Sequence, residues 1–263
     1  MDYGFCNLAL IPMRLEANNT SEQVSQLLFG ETFDVLETFN DKCLIKTHHD
    51  FYQGWISQKQ FLPITSADLE KLKAKPSVYC TKLLTFIEQK NLANGQSTTI
   101  PVTLGSTFCD YTYTIGDYTF TIAKTDAAEA TFGDINHSID IAKRFLNAPY
   151  LWGGRSILGI DCSGFTQLCY RFANIKLQRD AWQQSNEGSP VQNVQRAQAG
   201  DLCFFSKPNN IKTTHTGIYL GQGKIIHACS MVRIDRLTDD GITNIDTNEL
   251  SHKLLQIKTW NYK

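Results

Sequence analysis

Apolar and polar positions alternate through the first quarter of the chain. Glu31 to Phe39 (ETFDVLETF), Cys43 to Thr47 (CLIKT) and Gly54 to Ser57 (GWIS) are short β-like runs separated by turns, which predicts a small β barrel over residues 1–63. Over residues 66–92 the period lengthens: Leu69, Leu72, Leu83, Leu84 and Ile87 fall at helical spacings, with a break at Pro76. Alternation returns from Thr98 to Thr125, where Tyr111, Tyr113, Tyr118 and Phe120 alternate with Thr around Gly116-Asp117, a hairpin turn. Residues 64–134 are expected to form a linker with a helical insertion and a second small β subdomain.

From Asp134 a helix is predicted, capped by Asn136 or Ser138, with Ile139, Ala142, Phe145 and Leu146 on one stripe and its end before Pro149. A glycine-rich loop, Tyr150 to Gly159 (YLWGGRSILG), leads into a second helix that starts at or next to Cys162 and carries Phe165, Leu168, Cys169 and Phe172 on its apolar side. Strands follow at Asp201 to Ser206, His215 to Leu220, Lys224 to Cys229 and Leu255 to Trp260. One helical layer on an antiparallel sheet makes residues 135–263 an α+β domain.

With 42% hydrophobic and 19% charged residues the composition is that of a globular protein. A net charge of -1 provides no cationic field, so nucleic acid is not an expected partner. The N-terminal MDYGFCNLALIPMRLEANN has no basic segment followed by an apolar one, and no stretch is as long as a membrane span; the expectation is a cytoplasmic protein without a membrane partner. A chain trimmed of a leader would read the same. The eight cysteines, at positions 6, 43, 80, 109, 162, 169, 203 and 229, show neither a CxxC pair nor zinc-like spacing, which disfavours disulfides and a metal.

Cys162 stands apart from the other seven. A thiol at a helix start, next to an imidazolium, has its pKa lowered and becomes a nucleophile, and Gly153, Gly154, Gly159, Ser163 and Gly164 keep the approach uncrowded. His215 opens a strand after the polar loop 207–214 and is the candidate base. A three-residue loop Gly221 to Gly223 would set residue 227 opposite residue 217, making His215 a diagonal neighbour of His227 on one face at roughly 6 to 8 Å; a two-residue loop would separate them. His227 would then orient the ring of the base. His48, His49, His137 and His252 have no comparable setting.

These residues carry a resemblance. Tyr150 to Phe165 (YLWGGRSILGIDCSGF), Gly200 to Phe205 (GDLCFF), His215 to Gly221 (HTGIYLG) and Ile226 to Ala228 (IHA) resemble the NlpC/P60 cysteine peptidases, whose catalytic domain is papain-like. Ser21 to Glu31 and Asp50 to Ile56 resemble the N-terminal bacterial SH3 module of one branch, the γ-D-glutamyl-L-diamino acid endopeptidases or dipeptidyl-peptidases VI; the second small β subdomain would then also be SH3-like. The resemblance implies a triad of Cys162, His215 and His227 without a cofactor. Its implied substrates are small peptidoglycan peptides with a free L-Ala, cut between γ-D-Glu and diaminopimelate or lysine during cell-wall recycling by a monomer. Glu16, Tyr52 and Asp161 would recognise the free amine, Tyr150 would help hold the oxyanion, and Ser163, Arg179 and Asp180 would line the pocket, Arg179 facing a substrate carboxylate. Where a small hydroxyl residue is expected after Arg179-Asp180, this chain has Ala181. The alternatives are a secreted endopeptidase or amidase of the same family, and a cell-wall binding protein with an inert peptidase domain.

Overall fold

The computed structural model describes residues 2–74, 77–207 and 211–260; the break expected at Pro76 and part of the polar loop 207–214 lie outside them. The chain divides into two compact units, Met1–Ala130 with Trp152–Ile157, and Thr131–Leu151 with Leu158–Lys263.

In the first unit, β1 (Asp2–Phe5), β2 (Leu10–Arg14), β3 (Gln23–Leu28), β4 (Thr32–Phe39), β5 (Lys42–Thr47), β6 (Gln53–Ser57) and β7 (Leu62–Ile64) form an antiparallel sheet in the order β3-β2-β6-β5-β4-β1-β7. Alternate positions such as Ile11, Met13, Phe33, Cys43, Ile45 and Ile56 turn inward as its core. α1 (Ser66–Lys73) starts with a capping box between Thr65 and Asp68. After it come β8 (Val78–Cys80), β9 (Leu84–Asn91), β10 (Ser97–Thr103), β11 (Thr107–Phe108), β12 (Thr112–Ile115), β13 (Tyr118–Thr121) and β14 (Ala127–Glu129), in sheets ordered β10-β9-β13-β12 and β11-β8-β14.

The helical expectation for residues 66–92 is corrected beyond Lys73. Leu84 and Ile87, three residues apart, suit one helix face but fall on opposite faces of a strand, and β9 buries Ile87 while leaving Leu84 50% exposed. The hairpin at Gly116-Asp117 forms, with Ile115 paired to Tyr118 and Gly116 at φ +52°. Phe5 of the first sheet and Phe29 of the turn after β3 share a buried cluster with Phe108, Tyr113 and Phe120, so residues 2–63 and 64–130 have a common core.

Trp152–Ile157, in the middle of the glycine-rich loop, belong to this first unit. Strand β15 (Arg155–Ser156) brings a guanidinium that is 1% exposed onto both carboxylate oxygens of Glu31, at 2.8 and 2.9 Å, and onto the Gln26 carbonyl at 2.6 Å. Gly153, at φ +73°, is required here: a Cβ would stand 2.5 Å from the Gln23 carbonyl oxygen.

In the second unit α2 (Ile135–Arg144) begins earlier than expected. Asp134, not Asn136 or Ser138, is its cap, accepting from the His137 N–H at 3.0 Å, while Ser138 is buried inside the helix. Then follow β16 (Gly159–Ile160), α3 (Cys162–Arg171), α4 (Ala181–Gln184), β17 (Ser189–Val191), β18 (Leu202–Ser206), β19 (His215–Gly221), β20 (Lys224–Cys229), β21 (Met231–Thr238), β22 (Gly241–Thr243) and β23 (Leu250–Thr259). The order is β17-β23-β18-β19-β20-β21-β22, and because β22 also pairs with β23, six strands close into a barrel. Cys203, Phe205, Tyr219, Ile225, Leu237 and Ile257 share one buried cluster. Every residue of α3 is buried, and the helix packs on β19, β20 and α2, giving the α+β arrangement expected.

β23 starts five residues before the expected Leu255. β21 falls outside the expected strands because polar Arg233, Asp235 and Arg236 interrupt its apolar pattern, and β22 because it is only three residues long.

Candidate active site

α3 begins at Cys162, and its cap is Asp161, whose Oδ1 accepts from the Gly164 N–H at 2.7 Å. The sulfur lies against backbone amides: the N–H of Thr216, the residue after His215, and that of Ser163 both bond to it. Burial nevertheless pushes the thiol up to about 12, with the Asp161 carboxylate acting in the same direction and the Thr216 amide and Arg179 pulling it down. The expectation of a thiol already lowered by its helix start is thereby corrected. Removal from water outweighs an amide terminus whose dipole contributes about 0.3–2 kcal/mol.

The two histidines meet as the hairpin argument required. Gly217 pairs with His227, and His215 Nε2 lies 2.8 Å from His227 Nδ1, the rings edge-on at 83°. The route differs from the expected three-residue loop. Gly221 pairs with Lys224, leaving a two-residue turn, and a bulge between Tyr219 and Gly221 supplies the extra residue that restores the parity. Gly217 makes room for this contact, since a Cβ there would stand 2.8 Å from the His227 Cβ.

The chain of polar contacts then continues across the next strand. His227 pairs with Arg233, so Asp235 is its diagonal neighbour, and His227 Nε2 lies 3.0 Å from Asp235 Oδ2. Arg233 grips the same carboxylate through Nε at 2.8 Å and Nη2 at 2.9 Å, and the Ile245 N–H donates to Oδ1 at 3.0 Å. Asp235 is held at about 2: burial opposes ionisation, and the hydrogen bonds from His227, Ile245 and Arg233 overcome it. From β23, His252 stacks on His215 with centroids 4.2 Å apart and planes at 26°, and Phe205 lies 6.0 Å from the His215 ring. Burial drives His215 well below the ordinary histidine range, with His227 and His252 adding to the shift; burial and His227 bring His252 to about 4.

Neither Asp235 nor His252 was expected. Asp235 was accessible in principle, because extending the period-two register from His227 across residues 231–238 leads to it. His252 had no such signal, since only closure of the barrel brings β23 back beside β19.

Tyr150 is bonded through its N–H to the Ser230 carbonyl at 2.9 Å, and the pKa of its hydroxyl is pushed upward by burial and by the fields of Cys162 and Asp161. Arg179 requires a correction. Instead of facing a substrate carboxylate, its guanidinium is 1% exposed and bonds Asp161 through Nη1 at 3.1 Å and Nη2 at 2.6 Å, with Ser163 Oγ also at 3.1 Å from Nη1. Burial without a partner would be costly for either charge, so the pair is internal. The carboxylate of Asp161 is engaged by that guanidinium and by the start of α3, which leaves the resemblance-based role of Asp161 as an ammonium partner without support from its contacts. Ser163 Oγ is taken up in the same network, and Asp180 caps α4, its N–H donating to Gln183 Oε1 at 2.9 Å. Ala181 is buried. Glu16 and Tyr52 belong to the first unit: Glu16 is exposed in a bend with Asn18 donating to it at 3.3 Å, and Tyr52 packs against the core of the first sheet.

Residues 147–257 match the NlpC/P60 family, and residues 13–61 match the bacterial dipeptidyl-peptidase Sh3 domain. The chain is 28% identical to the gamma-D-glutamyl-L-lysine dipeptidyl-peptidase of Bacillus cereus over 82% of its own length and 70% of that protein's. It is also 28% identical to dipeptidyl-peptidase 6 of Lysinibacillus sphaericus, over 79% and 80%. A crystal structure of an NlpC/P60 family protein from Bacillus cereus matches 98% of this chain and 99% of that one with a TM-score of 0.79 at 20% identity, a likeness of fold.

Proposed function

Because this chain belongs to the NlpC/P60 family through residues 147–257 and carries a bacterial SH3 domain ahead of them, making it a hydrolase, we propose that it cleaves the bond between γ-D-Glu and a diamino acid in peptidoglycan-derived peptides that begin with a free L-Ala. Relatives named for dipeptidyl-peptidase activity support action on peptidoglycan peptides. The observation that carries the mechanism is the sulfur of Cys162 seated on the amide next to His215, with His227 behind that imidazole.

The resting pair is a neutral thiol and a neutral imidazole. As the sulfur attacks the γ-carbonyl carbon, its proton passes to His215, an S–C bond forms and the carbonyl electrons move to oxygen. The backbone N–H of Cys162 and the Tyr150 hydroxyl are assigned to that oxyanion. Collapse breaks the C–N bond while His215 returns the proton to the departing amine. Water, deprotonated by the same imidazole, then cleaves the thioester and releases L-Ala-γ-D-Glu, in keeping with a role in recycling wall fragments in the cytoplasm.

Purified protein should release L-Ala-γ-D-Glu from tripeptides ending in diaminopimelate or lysine, leave N-acetylated versions intact, and lose turnover on Cys162→Ala with an unchanged melting profile. Equal cleavage of free and acetylated peptides, read by mass spectrometry, would refute the free-amine requirement; activity surviving Cys162→Ala would refute the nucleophile.

A further inference from the structure

The contacts of Asp235 go beyond holding a strand in place. Its Oδ2 is 3.0 Å from His227 Nε2, and a carboxylate at neutral pH only accepts hydrogen bonds, so the His227 ring carries its proton on Nε2. With one proton on that ring, His227 Nδ1 is an acceptor. The nitrogen facing it at 2.8 Å, His215 Nε2, must then be the donor. By elimination the lone pair of His215 is on Nδ1, and the proton location of the base is decided two residues away.

We propose that Asp235, clamped by Arg233, is a positioning residue that fixes the tautomers of His227 and His215 in series, so that Nδ1 of His215 is the nitrogen that takes the Cys162 proton. This rests on the catalytic assignment made above. The carboxylate is prevented from rotating because each oxygen has its own donor: Arg233 Nη2 and the Ile245 N–H on Oδ1, His227 on Oδ2, with the Arg233 guanidinium close to Oδ2 as an ion pair. Arg233 is itself held by Asp246 at 2.7 Å and by Asn244 at 3.2 Å. The charged and titratable groups around the relay are Arg233 and Asp235 on β21, Asp246 on the loop after β22, His215 on β19, His227 and Cys229 on β20 and His252 on β23.

Asp235→Asn keeps the shape and reverses the instruction. The two donors on the Oδ1 side retain the amide oxygen there, which turns the NH2 toward His227 Nε2. His227 must then carry its proton on Nδ1, His215 Nε2 becomes the acceptor, and His215 Nδ1 bears the hydrogen. In Ser-His-Asp enzymes a substitution of this kind costs about 10,000-fold in kcat.

The test uses the full chain with 15N-labelled histidine. Long-range proton–nitrogen spectra of the wild type at pH 7 should show both His215 and His227 protonated on Nε2. Asp235→Asn should show both on Nδ1 and lose about 100- to 10,000-fold in kcat with KM within about 3-fold, because ground-state binding is untouched. Asp235→Glu, which retains an acceptor, should recover part of the rate. Protonation of His227 on Nδ1 in the wild type, a readout that needs no variant to fold, would overturn the proposal, as would an Asp235→Asn protein turning over at the wild-type rate. A Cys162→Ala protein that stays active would instead sink the catalytic assignment, and the spectra would still report on the relay.

Discussion

The sulfur of Cys162 and the ring of His215 are shifted in opposite directions by the same cause. Burial disfavours thiolate and imidazolium alike, raising the thiol to about 12 and holding the imidazole low, which favours the uncharged pair. A raised thiol pKa means that the thiolate fraction keeps growing as pH rises. The alkylation rate of Cys162 by iodoacetamide should therefore climb continuously from pH 6 to pH 9; a plateau established below pH 7 would show a preformed ion pair instead. Gly217 acts at the same level of detail, since its missing Cβ is what lets His227 lie across from it.

Among the elements, α3 is fixed by a buried charge pair at its first turn. Asp161 caps the helix and Arg179 neutralises the cap, both side chains being nearly inaccessible. Arg179→Met would leave a carboxylate without its guanidinium, a change that costs about 3–5 kcal/mol. Urea unfolding should show that loss. An unchanged midpoint combined with a raised KM would return Arg179 to the substrate. The β19–β20 hairpin shows how an element can reach its expected register by another path. The turn has two residues, and the bulge before Gly221 compensates for the missing one.

Over longer distances in the sequence, the Arg155–Glu31 pair joins residues 124 positions apart within the first unit. Arg155→Met should destabilise the first unit by about 3 kcal/mol through the stranded Glu31 carboxylate. A calorimetric scan that shows no lowered transition would indicate that His49, 3.8 Å from Glu31, carries the balance. The aromatic cluster of Phe5, Phe29, Phe108 and Phe120 similarly ties the first sheet to the strands after it, so an isolated 1–63 fragment would expose two phenylalanines that the longer chain covers.

What was legible from residues alone was local. The glycine-rich approach, the apolar stripe after Cys162 and the parity of the β19–β20 hairpin depend on neighbours within about a dozen positions, and they led to a helix starting at Cys162 and to His215 and His227 sharing a face. The strand β9, the cap at Asp134 and the bulge were misread because three-residue spacings and adjacent polar residues fit more than one local structure. Other features depend on pairings that no short window contains. Barrel closure through β22 and β23 stacks His252 on His215, the β20–β21 register delivers Asp235 to His227, and burial raises the pKa of the sulfur. A sequence pattern records which side of an element faces inward; which other element covers that side, and how much water it removes, is decided only when the whole chain has folded.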